Sequence, residues 1–259
     1  MTSNPNFVQI EKREAVELVI EKHYLHRKCP ISYAWGIKIG EETKGVLTIG
    51  KPASWSTSCG LVGENKLQMK NPAARTHDVY ELNRLWLDDS LPRNSESRFI
   101  AWCLKELRKK NPSAILVSYA DGKQGHVGYV YQATNWIYTG SSTPFIDIAV
   151  EGFVDYRSVP QYLRGGFIYK CGEHGGFVSP YVEDGNIPLL RNCPKCGEPS
   201  KKTNKREWAS KDVLTDSSGK EHRVFRVSRS IKHRYVWFAD SQDKSILHWG
   251  IRSYPKKAA

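Results

Sequence analysis

Two short runs have the residue types and spacing of a metal site, 171-CGEH-174 and 193-CPKC-196. Each puts two soft or borderline donors on one tight turn, and two such turns close a tetrahedron around zinc. Cys171, His174, Cys193 and Cys196 are the expected ligands, with Gly172 and Gly197 suited to the turns. Four protein ligands leave no open position, so the expected zinc is structural and holds together a ribbon with little core of its own. Cys29, Cys59 and Cys103 stand alone. The second knuckle is followed by 201-KKTNKREW-208. Such basic residues beside a tryptophan can grip a phosphate backbone and stack on a base, or simply form a charged linker.

A second stretch with chemical potential is 117-VSYADGKQGHVGYVYQATNWIYTG-140. It begins as a buried strand and turns at Asp121-Gly122, which places Tyr119, Asp121, Gly125 and His126 at a strand end. Strand ends beside glycine-rich turns are where α/β proteins usually keep their chemistry. Asp121 can also be read as the cap of its own turn.

The elements that must position these residues follow from periodicity. Residues 7–28 read as a helix stopped by Pro30, and 32–51 as a hairpin. Residues 52–76 read as loop, and 79–89 as a strand with a bulge. Residues 93–110 form a helix capped by Asn94 or Ser95, with Phe99, Ile100, Cys103, Leu104 and Leu107 on its buried face. Strand 114–121, helix 124–138 and strand 144–152 complete the series. Trp136 and Tyr138 read as core, as Tyr131 can. The expected class is α/β, with a mixed central sheet flanked by helices. The expected division is a core over 1–166, a zinc-ribbon-like insertion and basic linker over 167–222, and closing strands over 223–259 that complete the core.

The formal charge is +12, and residues 201–259 alone hold 15 Lys+Arg against 6 Asp+Glu. That excess favours polyanionic partners, nucleic acid first. The sequence has no run of eighteen apolar residues that would span a membrane, and the charged N-terminal stretch does not read as an export signal. A cytoplasmic setting is expected, where clustered cysteines point to metal rather than disulfides.

The succession of 23-HYLHR-27, 80-YELNRLWLDD-89, 94-NSESRFIAWCLKEL-107, residues 117–140 and 232-KHRYVWF-238 resembles the Mom family of phage DNA-modification proteins. The resemblance implies a GNAT-like fold, as in N-acyltransferases. It implies conversion of adenine in double-stranded phage DNA to N6-carbamoylmethyladenine inside the bacterial host, shielding the phage genome from restriction. It implies catalytic roles for His23, Tyr24 and Asp121, with Tyr119 as an orienter. Tyr24 would stack on a flipped base or donate to a developing oxyanion, and His23 would shuttle a proton. Asn83, Arg84, Arg93, Asn94 and Ser95 would hold an acyl-CoA or related small-group donor, the last three as a pyrophosphate cradle at a helix N-terminus. Iron on His23, His26, His126 or Asp121 is a further implied possibility. The Cys/His ribbon departs from the family pattern. Two rival readings remain: an N-acyltransferase acting on RNA or protein amines, and a non-catalytic DNA-binding protein.

Overall fold

In the computed structural model, seven strands build one sheet. The described residues are 5–65, 71, 73–122, 125–142, 146–153, 159, 163, 167–179, 192–206, 211–228 and 230–256. The elements of the first part are β1 (Asn6–Gln9), α1 (Lys12–Lys22), β2 (Tyr33–Ile39), β3 (Glu42–Gly50), α2 (Trp55–Val62), β4 (Val79–Leu87), α3 (Ser95–Lys110), β5 (Ile115–Asp121), α4 (Tyr129–Gln132) and β6 (Ile137–Ser141). The second part holds β7 (Ile146–Val150), β8 (Phe167–Cys171), β9 (Gly175–Ser179), β10 (Lys201–Arg206), β11 (Val213–Thr215) and β12 (Glu221–Ser228). The chain then returns to the first sheet as β13 (Lys232–Phe238). The large sheet runs β1-β2-β3-β4-β5-β13-β6. Its neighbours are antiparallel except for the parallel pair β4/β5. This is the mixed α/β arrangement, a central sheet flanked by helices, that the sequence led us to expect.

Both faces of the sheet are covered, which is why β2, β5 and the second half of β3 are largely apolar and buried. On one face, Phe99, Ile100, Cys103, Leu104 and Leu107 of α3 pack with Trp35, Leu47, Leu116 and Tyr235. On the other, Ala15 and Val19 of α1 pack on Ala34 and Val46, and Leu61 of α2 packs on Val79, Ile115 and Val117. The expected bulge is present in β4. Leu82 pairs with Ile49 and Arg84 with Thr48, so Asn83 is the extra residue.

Three expectations about elements need correction. Residues 6–9 are a strand paired to β2 rather than the start of a helix, and α1 ends at His23, well before Pro30. The region 52–76 contains α2, which starts at a Ser54 cap and stops at Gly63 (φ 73°). The expected helix 124–138 shrinks to α4 because Gly128 (φ 82°) and Asn135 (φ 59°) bracket it in left-handed conformations, and the chain resumes as β6.

The chain divides into two compact units, residues 1–143 with 230–259, and residues 144–229. The expected boundaries at 166 and 223 therefore move. The strands at 146–150 and 221–228 pair with each other in a β11-β12-β7 sheet, over a small core of Val150, Val159, Leu163, Leu214 and Val224. Only β13 completes the large sheet. In the same unit, β10-β8-β9 form a second three-stranded sheet. Residues 201–206, expected in a linker, are a strand of it, and Trp208 lies outside the described residues.

Candidate active site

Strands β4 and β5 pair only over Val79–Glu81 and Ile115–Val117, then separate. The opening is a cleft of about 690 Å³. His23 and Tyr24 line it from the end of α1, Asn83 to Leu87 from β4, Ser118 to Asp121 from β5, and Gly125 to Tyr131 from the segment that follows. A smaller recess of about 380 Å³ beside Arg108 and Trp237 touches none of the expected site residues.

His23 is buried, only 5% exposed. Its Nδ1 accepts a hydrogen bond from the Leu25 N–H at 3.1 Å. Burial, then the Arg84 charge, then His26 push the ring down from its ordinary 6.5 to about 4. The ring is thus neutral near pH 7. Since Nδ1 accepts, the hydrogen of the neutral ring sits on Nε2. Tyr24 stacks on His23 with ring centres 4.4 Å apart and is half exposed at the cleft.

Asn83 and Arg84 both line the cleft, but they are differently engaged. Asn83 Oδ1 accepts from the Thr48 hydroxyl at 2.6 Å, and its Nδ2 donates to the Pro30 carbonyl at 2.7 Å. Its amide thus fastens the bulge. Arg84 is only 8% exposed. Its Nη1 donates to the Asn83 carbonyl at 2.5 Å, while its buried Nε–H has no partner. Burial pushes this guanidinium below its usual range.

Asp121 ends β5, and Ser230 donates its hydroxyl to Asp121 Oδ1 at 2.5 Å. Ser230 was invisible as a site residue in the sequence, 109 positions away. Tyr119 shares a strand face with Asp121, and burial raises its hydroxyl above the usual range. Ser118 Oγ lies 2.8 Å from both the Leu82 carbonyl and Tyr131 Oη. A carbonyl can only accept, so Ser118 donates there and Tyr131 donates to Ser118. Tyr131 is pushed up to about 12 by burial. This neutral chain, together with Trp86 and the exposed Tyr129, was not singled out from the sequence.

Arg93, Asn94 and Ser95 do not line the cleft; Glu96 of the first turn of α3 does. Asn94 adopts φ 65° and makes no side-chain cap, and Ser95 donates its hydroxyl to the Pro92 carbonyl. The donor atoms of His23, His26, His126 and Asp121 are not gathered within ligand distance of one another among the described residues. His26 Nδ1 is bonded to the Ile20 carbonyl instead.

The family model described as the Mom protein family matches residues 5–159. The chain belongs to the Mom family. Methylcarbamoylase mom of Escherichia phage Mu is 37% identical over 126 residues, which is 48% of this chain and 48% of the phage Mu protein. The chain thus aligns with about half the length of that relative. Among solved structures, a Bacillus subtilis acetyltransferase in complex with CoA has a TM-score of 0.38 at 9% identity, covering 91% of this chain and 99% of its own. A Drosophila melanogaster polyamine N-acetyltransferase has a TM-score of 0.40 at 6% identity, covering 91% and 100%. Likenesses of that size carry no functional argument. The cleft residues named above fall within the Mom match, apart from Ser230.

The Cys/His cluster lies beyond the Mom match. Ligand atoms of Cys171, His174, Cys193 and Cys196 all lie within 4.8 Å of one another. Cys171 Sγ is 3.7 Å from Cys196 Sγ and 3.8 Å from His174 Nδ1, and Cys193 Sγ is 3.8 Å from the same nitrogen. Sulfur atoms at 3.7 Å are far outside the roughly 2.05 Å of a disulfide. These three separations match the edges, about 3.6–3.8 Å, of a tetrahedron of sulfur and nitrogen ligands around zinc. The donor set therefore fits a metal ion. Gly197, at φ 75°, closes the second turn by donating its N–H to the Cys193 carbonyl.

Proposed function

We infer that this Mom-family protein is a DNA-modification enzyme that converts adenine to N6-carbamoylmethyladenine in double-stranded phage DNA and so protects it from restriction. The observation that supports this most is the meeting of Asp121, neutral His23 and Arg84 in one cleft between diverging strands. An exocyclic adenine amine is a weak nucleophile and must leave the base stack to be reached. Tyr24, half exposed beside His23, offers the extruded base a stacking surface. Asp121, oriented by Ser230, takes the proton that N6 loses as its new bond to carbon forms. The donor's leaving group departs with the electron pair of the bond that breaks. Cys171, His174, Cys193 and Cys196 would hold a structural zinc.

The test is mass spectrometry of nucleosides from DNA of cells expressing the protein, beside an Asp121→Asn control. The expected result is a deoxyadenosine carrying the added group, reduced about 100-fold or more in the control. Tandem fragmentation separates the carbamoylmethyl from the isomeric methylcarbamoyl attachment. Unmodified DNA in both samples removes this reading and turns attention to RNA and amine substrates.

A further inference from the structure

Lys105, Arg108 and Lys244 raise a question that the cleft does not answer. All three are exposed and line the smaller recess of about 380 Å³. Lys105 and Arg108 come from neighbouring positions on one side of α3, and Lys244 from the 3-10 turn Ser241–Ile246. Among the described residues no carboxylate lines this recess. The acids nearest in the chain are engaged elsewhere. Asp240 accepts the Gln242 N–H at 2.9 Å, Asp243 holds Arg75, and Glu106 pairs with Lys109 at 2.6 Å. Like charges one turn apart on a helix repel, and a third cation from another element adds to that. Cations in the last turn of a helix complement its dipole, which accounts for Arg108, Lys109 and Lys110. It accounts for neither Lys105, earlier in α3, nor Lys244.

Arg108 is held in place. Its Nε donates to the Ala239 carbonyl at 2.7 Å, and its guanidinium lies 5.3 Å over the Trp237 ring. Its two Nη groups make no hydrogen bond with the described residues, and neither do the Lys105 and Lys244 ammonium groups. The back of the recess is apolar, from Leu104, Ile137 and Phe238. Low-dielectric walls focus the field of such cations into the space before them. The recess also backs onto the cleft: Tyr129 to Tyr131 wall the cleft, and Ala133 to Asn135, at the other end of α4, wall the recess.

We propose that Lys105, Arg108 and Lys244 form a phosphate-binding recess, filled by a backbone phosphate of bound DNA or by the phosphate of a free nucleotide. The fixed guanidinium supplies the directional donors, and the two ammonium groups close on the remaining oxygens. The assignment stands without the transfer reading, because none of the measurements below needs modified DNA.

The test uses the full chain and the double variant Lys105→Gln/Lys244→Gln. Arg108 is kept because its Nε holds the Ala239 carbonyl. Lys109→Gln/Lys110→Gln removes the same charge just outside the recess and is the control. Duplex affinity is measured over a range of salt concentrations. With a DNA phosphate in the recess, the slope of log affinity against log salt becomes shallower by about 1 in the recess variant, and by less than half of that in the control. In nitrogen-15-labelled protein, the backbone amide signals of Asn135 and Ser241 are followed during titration with deoxyadenosine monophosphate and with deoxyadenosine. Signals that move with the monophosphate alone and stay still in the recess variant, with equal salt slopes in the two variants, assign the recess to a free nucleotide. Equal slopes together with no such response overturn the proposal. Both lysines are exposed, so the melting temperature should stay within about 2 °C of wild type. A larger drop passes the same two measurements to Lys105→Gln and Lys244→Gln singly.

Discussion

At the scale of single residues, His23 is the most constrained group in the cleft. Its ring is buried and held neutral, at about 4 against an ordinary 6.5. Between those two values the unfolded chain binds a proton that the folded chain does not. The stability that this group contributes is fully present above pH 6.5 and is lost as the pH falls toward 4. In His23→Gln the amide oxygen can accept the Leu25 N–H and the amide nitrogen can still donate into the cleft. That variant should show a smaller drop in melting temperature between pH 7 and pH 5 than the wild type. Equal drops would show that the ring is not held neutral by the fold. The sequence, through its 23-HYLHR-27 run, singled out His23 and Tyr24, and both line the cleft. It did not make the role of His23 legible, because the role depends on which nitrogen meets the Leu25 N–H. Arg84 was legible as a cleft residue through the 80-YELNRLWLDD-89 run, and its burial was not. The bulge beside it is fastened by the Asn83 amide, whose partners Thr48 and Pro30 are 35 and 53 positions away.

At the scale of elements, periodicity worked where one face of an element decides it. Helix α3 carries its apolar residues on one face and was readable from Phe99 to Leu107. Periodicity failed where backbone conformation decides. The aromatics from Tyr129 to Trp136 have helical spacing, but Gly128 sits at φ 82° in close contact with the Tyr235 ring. Tyr235 in turn donates its hydroxyl to the Val127 carbonyl and accepts from Gln132 Nε2 at 3.1 Å. The result is one helical turn whose leading residues form a wall of the cleft. A Cβ at position 128 would lie 2.4 Å from the Tyr235 ring. Gly128→Ala therefore combines left-handed strain with overpacking and should cost about 2–4 kcal/mol. Urea unfolding measures it, and a loss below about 0.5 kcal/mol would mean that the turn relaxes freely. Because the same turn shapes the cleft, the yield of modified nucleoside should fall with the stability.

At the scale of the whole molecule, the second unit enters and leaves the first at hydrogen-bonded neighbours. The Ser142 N–H donates to the Lys232 carbonyl at 2.8 Å, and the Lys232 N–H donates to the Ser142 hydroxyl at 3.0 Å. Ser141 is paired with His233 in the same ladder. A chain that departs after residue 142 and returns near residue 230 can thus be closed by a few glycine and serine residues with little loop entropy. Residues 144–229 carry 14 Lys+Arg and 11 Asp+Glu, so most of the +12 surplus belongs to the first unit. Replacing 144–229 by a short linker should leave a folded first unit that binds DNA with most of its salt dependence and binds no zinc. In the full chain, a zinc chelator should melt the β8–β10 sheet, whose few strands depend on the four ligands, without moving the transition of the first unit. Circular dichroism melts of both proteins, with and without chelator, check this. If the excised chain does not fold, or if chelator lowers the transition of the first unit, the ribbon supports the catalytic core rather than being carried by it. The Cys/His cluster would then have to be counted among the residues on which the cleft depends.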